Sequence, residues 1–146
     1  MQKAEQDYNI LDWFKKVVLN NYANFEGRAR RKEYWSYLLV YFLIFLPIYV
    51  LTIGSIVSES AVFGSLGGIL MVIFALGMFI PNLAVSVRRL HDVNKSGWTL
   101  LLGLIPFVSL YLLYLYFSEG TNGPNDYGND PKRSTHEINE IGASQE

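Results

Sequence analysis

Two arginine-rich segments carry most of the chemistry available to this 146-residue chain: Arg28, Ala29, Arg30, Arg31, Lys32, Glu33, and Arg88, Arg89, Leu90, His91, Asp92. A guanidinium presents a planar fork of donors that matches two oxygens of a phosphate or carboxylate, so such segments suit an anionic headgroup. Arg28, Arg31, Arg88 and Arg89 are the candidate headgroup ligands. Glu33, His91 and Asp92 are the candidate partners that order the cluster and limit repulsion among its cations. The competing reading is topological: basic residues beside a membrane segment set its orientation, with Glu33 and Asp92 pairing to arginines at the helix ends. Sequence leaves both open.

Other chemistries find less support. The chain has no cysteine, which excludes disulfides, thiolate metal sites and cysteine nucleophiles. Metal catalysis wants three or more convergent ligands, whereas His91 and Asp92 are adjacent and His136 lies far along the tail. Ser96 and Ser118 have no partnered base. Glu33 and Asp92 stand beside so many arginines that ionised pairs are expected rather than acid–base catalysts. Asn125, Asp126, Asn129 and Asp130 do not match the spacing of a calcium loop and read as turn residues. A non-catalytic protein is expected, with no cofactor, no metal and no nucleic-acid partner.

The elements that position the arginines are apolar. No charged residue occurs from Tyr34 to Ser58, from Ser60 to Val87, or from Ser96 to Ser118. Each run reaches the roughly 20 residues needed to cross about 30 Å of hydrocarbon, and none shows the polar outer face of a soluble helix. The expected fold is therefore an all-α membrane protein, a small polytopic bundle. It has three transmembrane helices over about 34–57, 61–87 and 97–118, inside one membrane domain over 9–132. Pro47 should bend the first span. Pro106 leaves the third open between a kinked crossing and a re-entrant hairpin. Ser60, Gly64 and Gly68, four residues apart, are candidates for close helix packing in lipid, within the chain or between copies.

Ahead of the spans, Ile10, Leu11, Phe14, Val17, Val18 and Tyr22 recur at helical spacing opposite Asp12, Lys15 and Lys16. This predicts an N-terminal amphipathic helix over about 9–22, either interfacial, with Trp13 and Phe14 dipping into the headgroup boundary, or packed on the spans. Residues 1–8 are expected to be flexible and 133–146 disordered. Lys3, Lys15, Lys16, Arg28, Arg30, Arg31 and Lys32 precede the first span, the first loop has no basic residue, and the second has Arg88, Arg89 and Lys95. The positive-inside bias places the N-terminus and second loop in the cytoplasm. A crossing third stretch would put the tail outside, and a re-entrant one would return it.

Three motifs resemble one family. They are F-E-G-R-A-R-R-K-E-Y-W over Phe25–Trp35, R-R-L-H-D with S-G-W over Arg88–Asp92 and Ser96–Trp98, and G-T-N-G-P-N-D-Y-G-N-D-P over Gly120–Pro131. Their order and spacing resemble the YhaH-like small bacterial inner-membrane proteins, domain-of-unknown-function family 805, over about residues 11–132. The resemblance implies a multi-pass protein of the bacterial cytoplasmic membrane and no particular activity. Thr99 stands where many relatives carry an aromatic, and Asp126 where an arginine is frequent, which argues against a tail that supplies positive charge. The expected partners are membrane lipids, anionic phospholipid among them, with a homo-oligomer or another membrane protein as further expectations. The leading role is an accessory or lipid-interacting protein. The alternative is a subunit of an oligomeric solute or ion transporter, although no ionisable residue lies deep within a span.

Overall fold

The computed structural model describes residues 5–57 and 61–132. Among them the regular structure is helical, with no strand beyond one isolated bridge between Asn125 and Gly128. The order is a short turn of 3-10 helix at Glu5–Asp7, α1 (Ile10–Lys15) continuing as π-helix through Lys16–Asn20, α2 (Arg31–Val57), α3 (Ala61–Asp92), a 3-10 helix at Gly97–Leu104, and α4 (Ser109–Phe117). α2 and α3 are each long and apolar enough to cross a membrane, and only 11% and 6% of their most apolar windows are buried in protein. A soluble core helix would be mostly covered, so the uncovered apolar faces are consistent with a helical membrane protein.

Contacts divide the chain into two compact units. Within the described residues, the first takes in the chain up to Ala23 and Trp35–Ala84. Here α2 and α3 run antiparallel. Tyr37 meets Asn82, Thr52 meets Gly67 and Ser55 meets Gly64, so numbers rise on one helix as they fall on the other. A Cβ on Gly67 would lie 3.0 Å from the Thr52 Cα, and one on Gly64 would lie 3.1 Å from the Ser55 Oγ. Gly68 has no such neighbour within 4 Å. The close approach thus runs through Gly64 and Gly67, not Gly68, because a three-residue step keeps it on the face turned to α2. Ser60 lies outside the described residues. We expect Gly67→Leu to cost about 1–3 kcal/mol in detergent unfolding, since backbone cannot yield as a side chain can. Gly68→Leu should stay within about 0.5 kcal/mol. Equal losses in the two variants would contradict this register.

Polar groups within the spans find partners in the same unit. α2 runs unbroken through Pro47. Pro81, inside α3, has no N–H for the Gly77 carbonyl four residues earlier, and the Tyr22 hydroxyl takes that carbonyl at 2.8 Å. Tyr37 donates to the Asn82 Oδ1 at 3.0 Å. The N-terminal helix starts at an Asn9–Asp12 capping box. Its Trp13 and Val17 are fully buried and Phe14 stacks on Tyr37 at 5.6 Å. Trp13 therefore faces protein rather than headgroups, while Ile10, Leu11 and Leu19 stay exposed.

The second unit takes in Asn24–Tyr34 and, within the described residues, the chain from Val85 onward. α3 does not stop at the last uncharged residue but continues through Asp92, which places Arg88, Arg89, His91 and Asp92 on its final turns. Nothing before Asn94 breaks a helix, and Arg88, Arg89 and His91 oppose the negative end of the helix dipole. A Schellman ending follows. The Lys95 N–H donates to the Leu90 carbonyl at 2.9 Å and the Asn94 N–H to His91 at 3.0 Å, with Asn94 left-handed at φ 55°.

The third apolar run is not one helix. It breaks over 105–108, where Phe107 takes φ 67° after Pro106, and the 3-10 helix and α4 fold onto each other. Leu112 and Leu115 cluster with Leu90, flanked by Leu100, Leu102 and Tyr116. Both ends of the run meet the same end of α3. Gly97 packs against Val87 and His91, and the carbonyls of Tyr116 and Ser118 accept from Arg89. Of the segments expected to be flexible or disordered, 1–8 and 133–146, residues 1–4 and 133–146 lie outside the described residues, as does the first loop at 58–60.

Candidate functional site

All three sequence motifs converge in the second unit, and the residues that join them are the charged ones. Arg28 sits in the irregular connector after Gly27, whose φ of 76° breaks the helical path. Its Nε donates to Asp92 Oδ1 at 3.1 Å, Nη1 to the Gly123 carbonyl at 2.7 Å, and Nη2 to the Thr121 carbonyl at 2.5 Å. The longer contact to Gly128, 3.4 Å, completes a ring of tail carbonyls around this guanidinium. Arg89 donates to the other Asp92 oxygen at 2.5 Å and to the carbonyls of Tyr116 and Ser118. One carboxylate thus bridges two buried arginines and ties the connector, α3 and the end of α4 together.

Arg88 pairs separately. Its Nη1 donates to Glu33 Oε1 at 2.8 Å, and both side chains are buried. The Arg88 carbonyl accepts from the Ala29 N–H at 2.9 Å, which pins the connector along α3. His91 donates its Nδ1–H to the Gly27 carbonyl, 3.1 Å away, and stacks flat on Tyr127 at 3.8 Å. Arg31, by contrast, is exposed in the first turn of α2, and its Nη1 donates to the Phe117 carbonyl at 3.2 Å.

The tail acts as a strap over the end of α3. Thr121 donates its N–H and its hydroxyl to the Asp92 carbonyl at 2.8 and 3.0 Å, and the Asn125 amide donates to the His91 carbonyl at 2.9 Å. These groups satisfy carbonyls that a helix end would otherwise leave open. Asp130, also buried, accepts from the N–H of Gly123 and of Lys132. Burial works to raise its carboxyl, but those two N–H groups and the Arg28 charge outweigh it and hold the group below the usual carboxylate range. Three buried guanidiniums, Arg28, Arg88 and Arg89, are accompanied by three buried carboxylates, Glu33, Asp92 and Asp130. That balance makes such burial tolerable.

Every candidate ligand and ordering residue named from sequence is therefore in this unit, with the arginines divided between interior and surface. Sequence reasoning passed over Gly120, Thr121, Tyr127 and Asp130 as plain turn residues. The Tyr34–Tyr116 stack, 4.7 Å between centroids with both hydroxyls on Ser86, was hidden inside apolar runs. Among the described residues no group of three or more His, Asp or Glu side chains suits a metal ion.

Two long, largely uncovered apolar helices and a cluster of ion-paired residues are the features of a helical membrane protein. The family described as protein of unknown function, DUF805, matches residues 22–129, and the chain belongs to it. The chain is 40% identical to the inner membrane protein YhaI of Escherichia coli K12 over 124 residues, 84% of this chain and 97% of that protein. It is 41% identical to the inner membrane protein YhaH of the same strain over 123 residues, 84% and 98% of the two chains. No solved structure matches it. It is an inner-membrane protein of unknown function.

Proposed function

We propose that the protein is a non-catalytic, multi-pass component of the inner membrane that engages anionic phospholipid headgroups along its cytoplasmic rim. In this reading α2 and α3 cross the bilayer, the N-terminus and the charged end of α3 face the cytoplasm, and the third apolar run is a re-entrant hairpin. The tail then lies on the cytoplasmic side as well. The basic residues before α2, and Arg88, Arg89 and Lys95, support the orientation. The return of both ends of the third run to the end of α3 supports the hairpin.

The observation that carries the lipid reading is the division among the arginines. Arg28 and Arg89 spend their donors on internal acceptors, whereas Arg31 and its neighbour Lys32 are exposed at the start of a lipid-facing helix. A basic side chain near an anionic surface gains about 1 kcal/mol. Replacing both Arg31 and Lys32 with glutamine should reduce the preference for phosphatidylglycerol and cardiolipin over phosphatidylethanolamine by about 2 kcal/mol in all. Lipid co-purification read by native mass spectrometry measures it. An unchanged lipid ratio would remove the rim from the account.

A further inference from the structure

Arg88 has a capacity that the ion-pair cluster does not use. The residue is 3% exposed, and among the described residues its side chain makes one hydrogen bond, from Nη1 to Glu33. Nε and Nη2 are buried and have no hydrogen-bond partner among the described residues. These two nitrogens belong to one edge of the guanidinium and point parallel N–H groups the same way, the arrangement that takes two oxygens of one anion side-on. A buried, charged donor left unmatched costs more than a hydrogen bond contributes, so an orphaned fork calls for an acceptor. Arg28 and Arg89, at similar burial, have their forks filled by Asp92 and backbone carbonyls. Arg88 alone of the three keeps an unfilled edge.

Its position narrows the acceptor. Arg88 lies one helical turn, about 6 Å, from Asp92 at the end of α3. Tyr34 and Trp35, aromatic residues of the interface type, follow Glu33 on α2. In a membrane that depth belongs to headgroup phosphates. We infer that the Nε/Nη2 edge of Arg88 is a binding site for a phosphate-type oxyanion, whose two oxygens take the parallel N–H groups while Glu33 holds Nη1. The edge is covered by protein, so the oxyanion reaches it only when neighbouring side chains part. The inference rests on the membrane placement proposed above but not on its headgroup selectivity. A phosphodiester is common to anionic and zwitterionic phospholipids, so Arg88 binds phosphate without regard to headgroup, whereas Arg31 and Lys32 set the preference among headgroups.

The test uses the full chain purified in mild detergent. Native mass spectrometry counts retained phospholipid, and the melting midpoint is followed with added inorganic phosphate against chloride at equal ionic strength. The wild type should retain a phospholipid or be stabilised by phosphate. The first result identifies a lipid source, and the second alone a free anion. Arg88→Lys keeps the charge and the reach to Glu33 but loses the fork, and should weaken the effect about tenfold for phosphatidylglycerol and phosphatidylethanolamine alike. Glu33→Gln leaves the fork in place and should preserve binding. Loss of headgroup preference in the Arg31 and Lys32 variant, with total phospholipid unchanged, would separate the two sites. A wild type that neither retains phospholipid nor responds to phosphate overturns the inference without any variant, as does a folded Arg88→Lys protein that behaves like the wild type.

Discussion

Asp92→Asn should lower the stability of the folded chain by about 3–5 kcal/mol, the largest effect expected of any near-isosteric change here. Asp92 is 2% exposed and supplies the negative charge that both Arg28 and Arg89 contact. Asparagine preserves shape and one acceptor, but it turns an amide donor toward a guanidinium and leaves two buried cations sharing no anion. The loss comes less from the pair itself than from the charges stranded by its removal. Reversible unfolding in detergent measures it, with Arg31→Gln as the exposed comparison at under about 1 kcal/mol. A loss from Asp92→Asn no larger than that comparison would mean that the cluster does not hold the unit together.

The second large effect is steric. A Cβ on Gly120 would stand 2.6 Å from the Asp92 Cγ and 2.7 Å from its Oδ1, and closer still to Oδ2. Real Cβ atoms do not approach other atoms so closely, and the carboxylate cannot withdraw without releasing Arg28 or Arg89. Gly120→Ala should therefore lift the strap from α3 and cost about 1–3 kcal/mol or more. Backbone exchange at Thr121 and Gly123, whose N–H groups bond Asp92 and Asp130, should rise with it. In the Asp92→Ala background the same substitution should cost much less, because the clashing atoms are gone. Additive losses in the double variant would place the clash elsewhere.

These expectations show what the sequence discloses and what it withholds. Uncharged runs reveal α2 and α3 because hydrocarbon forbids exposed charge over that length, and one-dimensional composition reports this directly. The third run has the same composition yet folds back at Pro106 and Phe107. Length and hydropathy cannot separate a crossing from a hairpin, since both bury the same residues. The helical end of α3 was obscured for a related reason. Arg88 and Arg89 look like loop residues until Glu33, 55 residues earlier, and Asp92, one helical turn on, are known to neutralise them.

The cluster itself was legible in part. Two arginine-rich segments with Glu33, His91 and Asp92 between them announced ion pairing. Which arginine would turn inward depended on the tail, whose glycine and asparagine content signalled turns but not their docking. Thr121 and Asn125 earn their place by reaching carbonyls at the end of α3, and no local pattern encodes that. The small-residue face read from Gly64 and Gly68 shares Gly64 with the contact to α2, which continues at Gly67; helix spacings of three and four are equally good until the partner helix is known.

In the proposed arrangement the connector, the end of α3, both ends of the third apolar run and the tail strap form one cluster on one side of the membrane. A reporter active only in the periplasm, fused after Lys132, tests it most directly, with fusions after Ser58 and Asn94 as controls for the two sides. Activity is expected after Ser58, and silence after both Asn94 and Lys132. Activity after Lys132 with silence after Asn94 would put the strap across the bilayer from the helix end it caps, and would overturn this arrangement.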